Sequence, residues 1–108
     1  MQPRVTFVTL GVAEIAASRR FYEALGFRAS SASNDSVAFF DAGGIVLALF
    51  GRADLAKDAT VPDDGAGFTR VALAHNVKAP EDVARVLAEA EAAGARILKP
   101  SQRAFWGG

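Results

Sequence analysis

The sequence contains no cysteine, a single histidine and no excess of charge of either sign. Without cysteine the chain has no disulfide, no thiolate metal ligand and no thiol nucleophile. Its 12 Lys and Arg residues balance its 12 Asp and Glu residues, so the basic surplus typical of nucleic-acid binding is missing. No apolar run approaches the length of a membrane span, and no basic and apolar leader opens the sequence. These absences predict a cytoplasmic protein that binds neither nucleic acid nor membrane.

The sequence predicts an order of strands and helices that starts once in each half of the chain. The 108 residues suit one domain, and 51% of them are hydrophobic. In the first half, alternation and helical spacing predict a strand, a helix and three further strands at residues 4–12, 14–25, 27–32, 36–41 and 45–52. Residues 53–67, which contain Pro62 and an Asp-Asp-Gly run, are predicted to connect the two halves, with one helical turn near Leu55.

The second half repeats only the start of this order. A strand, a helix that opens at Pro80, and a second strand are predicted, with the strands at residues 68–77 and 95–99. Gly94 ends the second helix as Gly26 ends the first. The pattern therefore predicts an α+β fold of two βαβββ modules, residues 1–52 and 68–108, of which the second lacks its last two strands.

Three sequence runs resemble one known family. They are the run FYEALGF at Phe21 to Phe27, the run AAGA at Ala92 to Ala95, and the run KPSQRAFWGG at Lys99 to Gly108. The chain resembles the vicinal oxygen chelate superfamily, which includes glyoxalases, bleomycin resistance proteins and extradiol dioxygenases. The resemblance implies that the curved sheets of two paired βαβββ modules enclose a cavity. The strands missing from the second module would leave unpaired sheet edges, which predicts a homodimer, as the resemblance also implies.

In the metal-using members of that superfamily, side chains at defined strand positions bind a divalent ion. Counting back from the FY pair and from the helix-ending Gly94 places two of these positions at Phe7 and Ala72, and the position on the last strand of the first module corresponds to Ala48. A phenyl ring and two methyl groups have no lone pair to donate to a cation. The sequence therefore predicts no metal site and no cofactor, and it disfavours the metal-dependent glyoxalase reaction.

The remaining candidates for the cavity are aromatic or polar. Aromatic rings give large apolar contact at low entropic cost, which favours Phe7, either Phe39 or Phe40, Phe50, Phe105 and Trp106 as pocket residues. The polar candidates are Thr9, Arg70 and Asn76. Strand-end solvation explains Thr9 and Asn76 nearly as well, and for Arg70, near the start of its strand, a solvated side chain is the favoured interpretation. The proposed ligand-binding set is Phe7, Thr9, Ala48, Arg70, Ala72, Asn76, Phe105 and Trp106.

His75, the only imidazole, is predicted to be structural. It shares the alternation of Val71 and Leu73, the side of the predicted strand that packs under a helix. Phe68 is likewise predicted to belong to the core. No motif for a nucleophile or a phosphate loop is present, so no catalytic residue is predicted.

Three functional hypotheses follow. The first is a metal-free protein that binds a small, apolar or partly aromatic molecule in its cavity. The second is a metal-dependent lyase, isomerase or dioxygenase whose ligands come from a further C-terminal segment or a partner chain. The third treats the exposed sheet edge as an interaction surface, because unpaired strand edges bind other strands.

Overall fold

The computed structural model describes residues 1–102, which form a mixed α+β fold with one three-stranded sheet and three helices. In chain order the elements are strand β1 (Phe7–Val12), helix α1 (Ile15–Ala24), strand β2 (Val37–Asp41), strand β3 (Val46–Gly51), helix α2 (Arg52–Asp58) and helix α3 (Asp82–Ala92). The chain divides after Thr69 into two compact units. The sheet, α1 and α2 belong to the first unit, and α3 belongs to the second. The predicted α+β class is confirmed.

The sheet has the strand order β1, β3, β2. Strand β1 runs parallel to the central strand β3, whereas β2 and β3 form an antiparallel hairpin. The hairpin turn contains Gly43 and Gly44 with φ of 76° and 109°, a conformation that glycine adopts without steric cost. In this register Thr9 lies beside Ala48, and Ala48 lies beside Phe39.

The core of the first unit lies between the sheet and α1. Phe40 and Leu49 are completely buried, and Ala38 and Leu47 complete the buried cluster on this sheet face. Tyr22 of α1 packs on it with ring centroids 5.8 Å from Phe40. Burial raises the pKa of Tyr22 above its ordinary value, because water no longer solvates the phenolate fully.

Both glycines predicted to end helices do so with the same hydrogen-bond pattern. Gly26 has φ of 102°, its N–H donates to the Glu23 carbonyl, and the next N–H, of Phe27, donates to the Tyr22 carbonyl. Gly94 has φ of 118°, and the corresponding bonds run to carbonyls of α3. These paired bonds are the Schellman motif, which satisfies the last carbonyls of a helix.

The prediction of a strand at residues 27–32 is wrong, because the segment forms only one isolated bridge, between Ala29 and Phe40. Ser30 donates its backbone N–H to the Phe39 carbonyl, but its hydroxyl then accepts the N–H of Ala32. The Ser33 hydroxyl accepts the N–H of Phe39 in a similar way. The serine hydroxyls thus accept backbone N–H groups in competition with strand pairing, and the segment does not continue as a strand along the sheet edge.

The strands predicted at residues 68–77 and 95–99 are also wrong for the part of the chain that the structure describes. Among residues 1–102, no backbone hydrogen bond involves residues 62–78, so the first of these segments has no strand to pair with. Arg70 has φ of 64°, which interrupts extended backbone there. Phe68 is 76% exposed and His75 is also exposed, so the prediction that both residues pack in a core is wrong.

The second unit consists chiefly of α3 and the segments beside it. Arg85 lies 3.6 Å from Asp82 and 3.8 Å from Glu89, at helical spacings that place these charges on one side of α3. None of the helices within residues 1–102 has the length and apolar character that crossing a bilayer requires.

Candidate functional site

The sheet face opposite α1 carries three of the eight side chains predicted to bind a ligand. Because successive residues of a strand point to opposite faces, Phe7 and Thr9 of β1 share this face with their neighbours on β3 and β2. We call it the open face, and it consists of Phe7, Thr9, Val37, Phe39, Val46, Ala48 and Phe50, with Gly11 and Asp41 at its ends. Apart from Thr9 and Asp41, its side chains are apolar.

Phe7 and Phe39 meet across the central strand of this face. Their ring centroids are 6.3 Å apart and their planes are nearly perpendicular at 88°, the edge-to-face arrangement that aromatic rings favour. Ala48 lies next to Phe39 on the same face and has no exposed surface. Phe7, in contrast, is 53% exposed. The open face therefore presents an aromatic pair with one ring half in solvent.

Helix α2 closes the Gly11 end of the open face. A Cβ atom built on Gly11 would lie 3.1 Å from Arg52 Cα and 3.2 Å from Leu55 Cδ2, so the helix backbone passes directly over this glycine. Arg52 donates from Nε and Nη2 to the two carboxylate oxygens of Asp63, at 3.1 and 3.3 Å. These hydrogen bonds and the charge of Asp63 raise the pKa of Arg52.

The eight predicted ligand-binding residues fall into three groups. Phe7, Thr9 and Ala48 lie together on the open face, as the sequence predicts. The second group lies in the other compact unit, where its members are exposed and outside any strand: Arg70, Ala72 and Asn76. The third group, Phe105 and Trp106, lies outside the residues described.

The donor set of the open face does not fit a divalent metal ion. Phe7 and Ala48 offer no lone pair, and the only side-chain oxygens contributed by its three strands are the Thr9 hydroxyl and the Asp41 carboxylate. Asp41 Oδ1 already accepts the backbone N–H of Gly43 at 3.0 Å. Among residues 1–102, no three His, Cys, Asp or Glu side chains are grouped to hold a metal ion. Divalent cations need several such ligands at once.

Comparison with known proteins decides the family. The model of the Glyoxalase/Bleomycin resistance protein/Dioxygenase superfamily matches residues 4–108 of the sequence. This chain belongs to that superfamily. No curated protein matches the sequence.

Solved structures of the superfamily resemble the chain over most of its length. A glyoxalase-related enzyme from Fulvimarina pelagi is 34% identical with a TM-score of 0.85, and the match covers 98% of this chain and 76% of that one. A family enzyme from Burkholderia phytofirmans PsJN is 21% identical with a TM-score of 0.79, covering 94% and 82%. A Nocardioides member is 23% identical with a TM-score of 0.76, covering 98% and 72%. The last two similarities concern the fold alone.

Sequence reasoning left one aromatic position undecided and predicted only one helical turn near Leu55, where α2 runs over Arg52–Asp58. Phe39 and Phe40 are adjacent, and only the register shows that Phe39 faces Ala48 while Phe40 faces the core. The sequence analysis placed that turn within a connection and did not predict that Leu55 lies against Gly11. The signal was available, because Gly11 interrupts a strand of large residues and marks a close approach of another backbone.

Proposed function

We propose that the protein binds a small, apolar or partly aromatic molecule on the open face, without a metal ion. The observation that carries the proposal is the Phe7 and Phe39 pair, in which a large aromatic ring is 53% exposed on an apolar sheet face. A flat ligand that covers this ring removes apolar surface from water and orders few side-chain rotamers. The Thr9 hydroxyl, beside Ala48, is placed to orient the ligand by one hydrogen bond.

The first test is a thermal-shift screen of planar aromatic compounds, followed by fluorescence titration of those that bind. Phe7→Ala and Phe39→Ala are each expected to weaken binding about tenfold, the equivalent of about 1.4 kcal/mol. Phe21→Ala is the matched control, because it removes the same ring from α1, where Phe21 contacts Tyr22 at 5.1 Å. The proposal is wrong if no compound binds, or if the control weakens binding as much as the two face variants do.

A metal-dependent enzyme is the second candidate, because the similarity to an enzyme from Fulvimarina pelagi favours catalysis over binding alone. That protein is described as a glyoxalase-related enzyme, and the match leaves about a quarter of its length without a counterpart here. Metal ligands from a further segment or from a partner chain would then complement the open face. Stoichiometric binding of a divalent ion distinguishes this candidate from the metal-free proposal.

The proposal extends to a homodimer in the cytoplasm. The support for the dimer is the exposed apolar side chains of the second unit, where Val71 and Leu73 are 61% and 52% exposed. Large apolar side chains exposed in this way are typical of surface that another chain covers. A second copy of the chain is the partner we propose for it.

A further inference from the structure

Thr9 places a hydroxyl in the middle of the open face. Val8 and Leu10, its neighbours in the sequence, pack against the core cluster, so alternation along β1 puts Thr9 on the opposite face. Its neighbour across the sheet, Ala48, is apolar and has no exposed surface. Apart from Asp41 at the end of β2, the three strands surround this hydroxyl with apolar groups only.

The Thr9 hydroxyl is uncommitted within the part of the chain that the structure describes. None of the side-chain hydrogen bonds formed within residues 1–102 includes it. No buried side-chain oxygen of a partly or fully buried residue there lacks a partner, so the half-buried Thr9 keeps its hydroxyl oxygen in reach of solvent. A ligand that covers this hydroxyl removes its water, and it stabilises the complex only if it supplies a hydrogen bond in return.

Thr9 is also the one side-chain donor that β1, β2 and β3 contribute to the open face. The Asp41 carboxylate only accepts hydrogen bonds, and its Oδ1 already accepts the N–H of Gly43. A ligand group that donates could therefore bind to either residue, whereas a ligand group that accepts has Thr9 alone. An acceptor on the ligand is for this reason bound at one defined point of the face.

The same hydroxyl lies close to the exposed aromatic ring. Phe7 and Thr9 are two residues apart on β1, which corresponds to about 7 Å along the strand. Both side chains lie on the open face, and Phe7 is 53% exposed. An aromatic ligand against the Phe7 ring needs only a short substituent to reach the Thr9 hydroxyl.

We infer that the ligand carries an oxygen acceptor, such as a carbonyl, on its aromatic ring, and that Thr9 is the specificity-determining residue that donates a hydrogen bond to it. This inference rests on the proposed function, because it names the chemical class of the molecule that the same face binds. The Phe7 and Phe39 rings supply apolar contact, and Thr9 distinguishes an aromatic carbonyl compound from a hydrocarbon of similar shape.

The experiment compares two probes, 2-acetylnaphthalene and 2-isopropylnaphthalene, by equilibrium dialysis against the 108-residue protein. A methyl group of the second probe replaces the carbonyl oxygen of the first, so the ratio of the two dissociation constants reports the contribution of the carbonyl. Thr9→Val keeps the branched shape that suits a strand and removes the hydroxyl. It is expected to weaken binding of the ketone about fivefold relative to the hydrocarbon, since one hydrogen bond is worth about this much. Thr9→Ala removes the same hydroxyl and takes its place if the valine variant does not fold.

Two further variants separate the hydroxyl from the rest of the side chain. Thr9→Ser retains a hydroxyl and is expected to keep the ratio of the unsubstituted protein. Thr6→Val is the matched control, because it makes the same change at an exposed position directly before Phe7, where alternation points the side chain away from the open face.

An unchanged ratio in the variant without the Thr9 hydroxyl, with both probes still binding, overturns the inference and leaves the proposed function standing. A ratio that shifts as far in Thr9→Ser or in Thr6→Val also overturns the inference. If the unsubstituted protein binds neither probe, the proposed function is overturned, and the inference with it.

Discussion

At the residue scale, the neighbouring phenylalanines Phe39 and Phe40 lie on opposite faces of the sheet. Phe40 has no exposed surface and contacts Tyr22 and Phe27, whereas Phe39 is half-buried on the open face beside Phe7. Alternation in the sequence shows that the two rings point to opposite sides, but not which side is the core. The answer depends on where α1 packs, and a single strand does not contain that information.

This difference predicts unequal effects of the same substitution. Phe40→Leu is expected to lower the free energy of unfolding by about 1–2 kcal/mol, because the shorter side chain leaves space in a close-packed cluster. Phe39→Leu is expected to cost less than half as much, since its ring is already partly in water. Urea unfolding followed by circular dichroism measures both values. Equal losses of unfolding free energy in the two variants would contradict the assignment of Phe40 to the core and Phe39 to the open face.

At the element scale, helices were easier to predict from the sequence than strands. The residue that ends a helix directly follows it in the sequence, so Gly26 and Gly94 could be recognised from local spacing, and both form the expected motif. A strand instead needs a partner elsewhere in the chain. Residues 68–77 alternate clearly, as a strand does. Among the described residues, however, no strand forms backbone hydrogen bonds with them, and the segment is irregular.

Gly26 gives the most direct test of this helix-ending role. With φ of 102°, it occupies backbone that L-residues avoid, so Gly26→Ala is expected to lower the free energy of unfolding by about 1–2 kcal/mol. Gly65→Ala is the control, since an added Cβ there meets no atom within 4 Å and its φ is not in the left-handed range. Thermal unfolding of the two variants should therefore show a lower Tm for Gly26→Ala only. A Tm of Gly65→Ala that falls as far as that of Gly26→Ala would contradict this explanation.

At the scale of the whole molecule, the superfamily, the α+β class and the placement of Phe7 and Ala48 on one sheet face could be predicted from the sequence. The rest of the candidate site could not. Arg70, Ala72 and Asn76 were assigned to a cavity strand, but they lie exposed in the second unit. The packing of α2 over one end of the open face depends on the close approach of Leu55 to Gly11, and these residues are 44 positions apart in the sequence. Such contacts arise from tertiary packing, and the glycine is the only local sign of them in the sequence.

The central claim, that the open face binds an organic molecule without a metal ion, is tested most directly by native mass spectrometry. The 108-residue protein is incubated with Zn²⁺ or Mn²⁺, and separately with naphthalene-2-sulfonate, before one spectrum of each sample is recorded. We expect a dimer that retains the sulfonate and carries no stoichiometric metal, because Phe7 and Ala48 supply no ligand. One divalent ion retained per chain would contradict the claim and place the metal-dependent enzyme first.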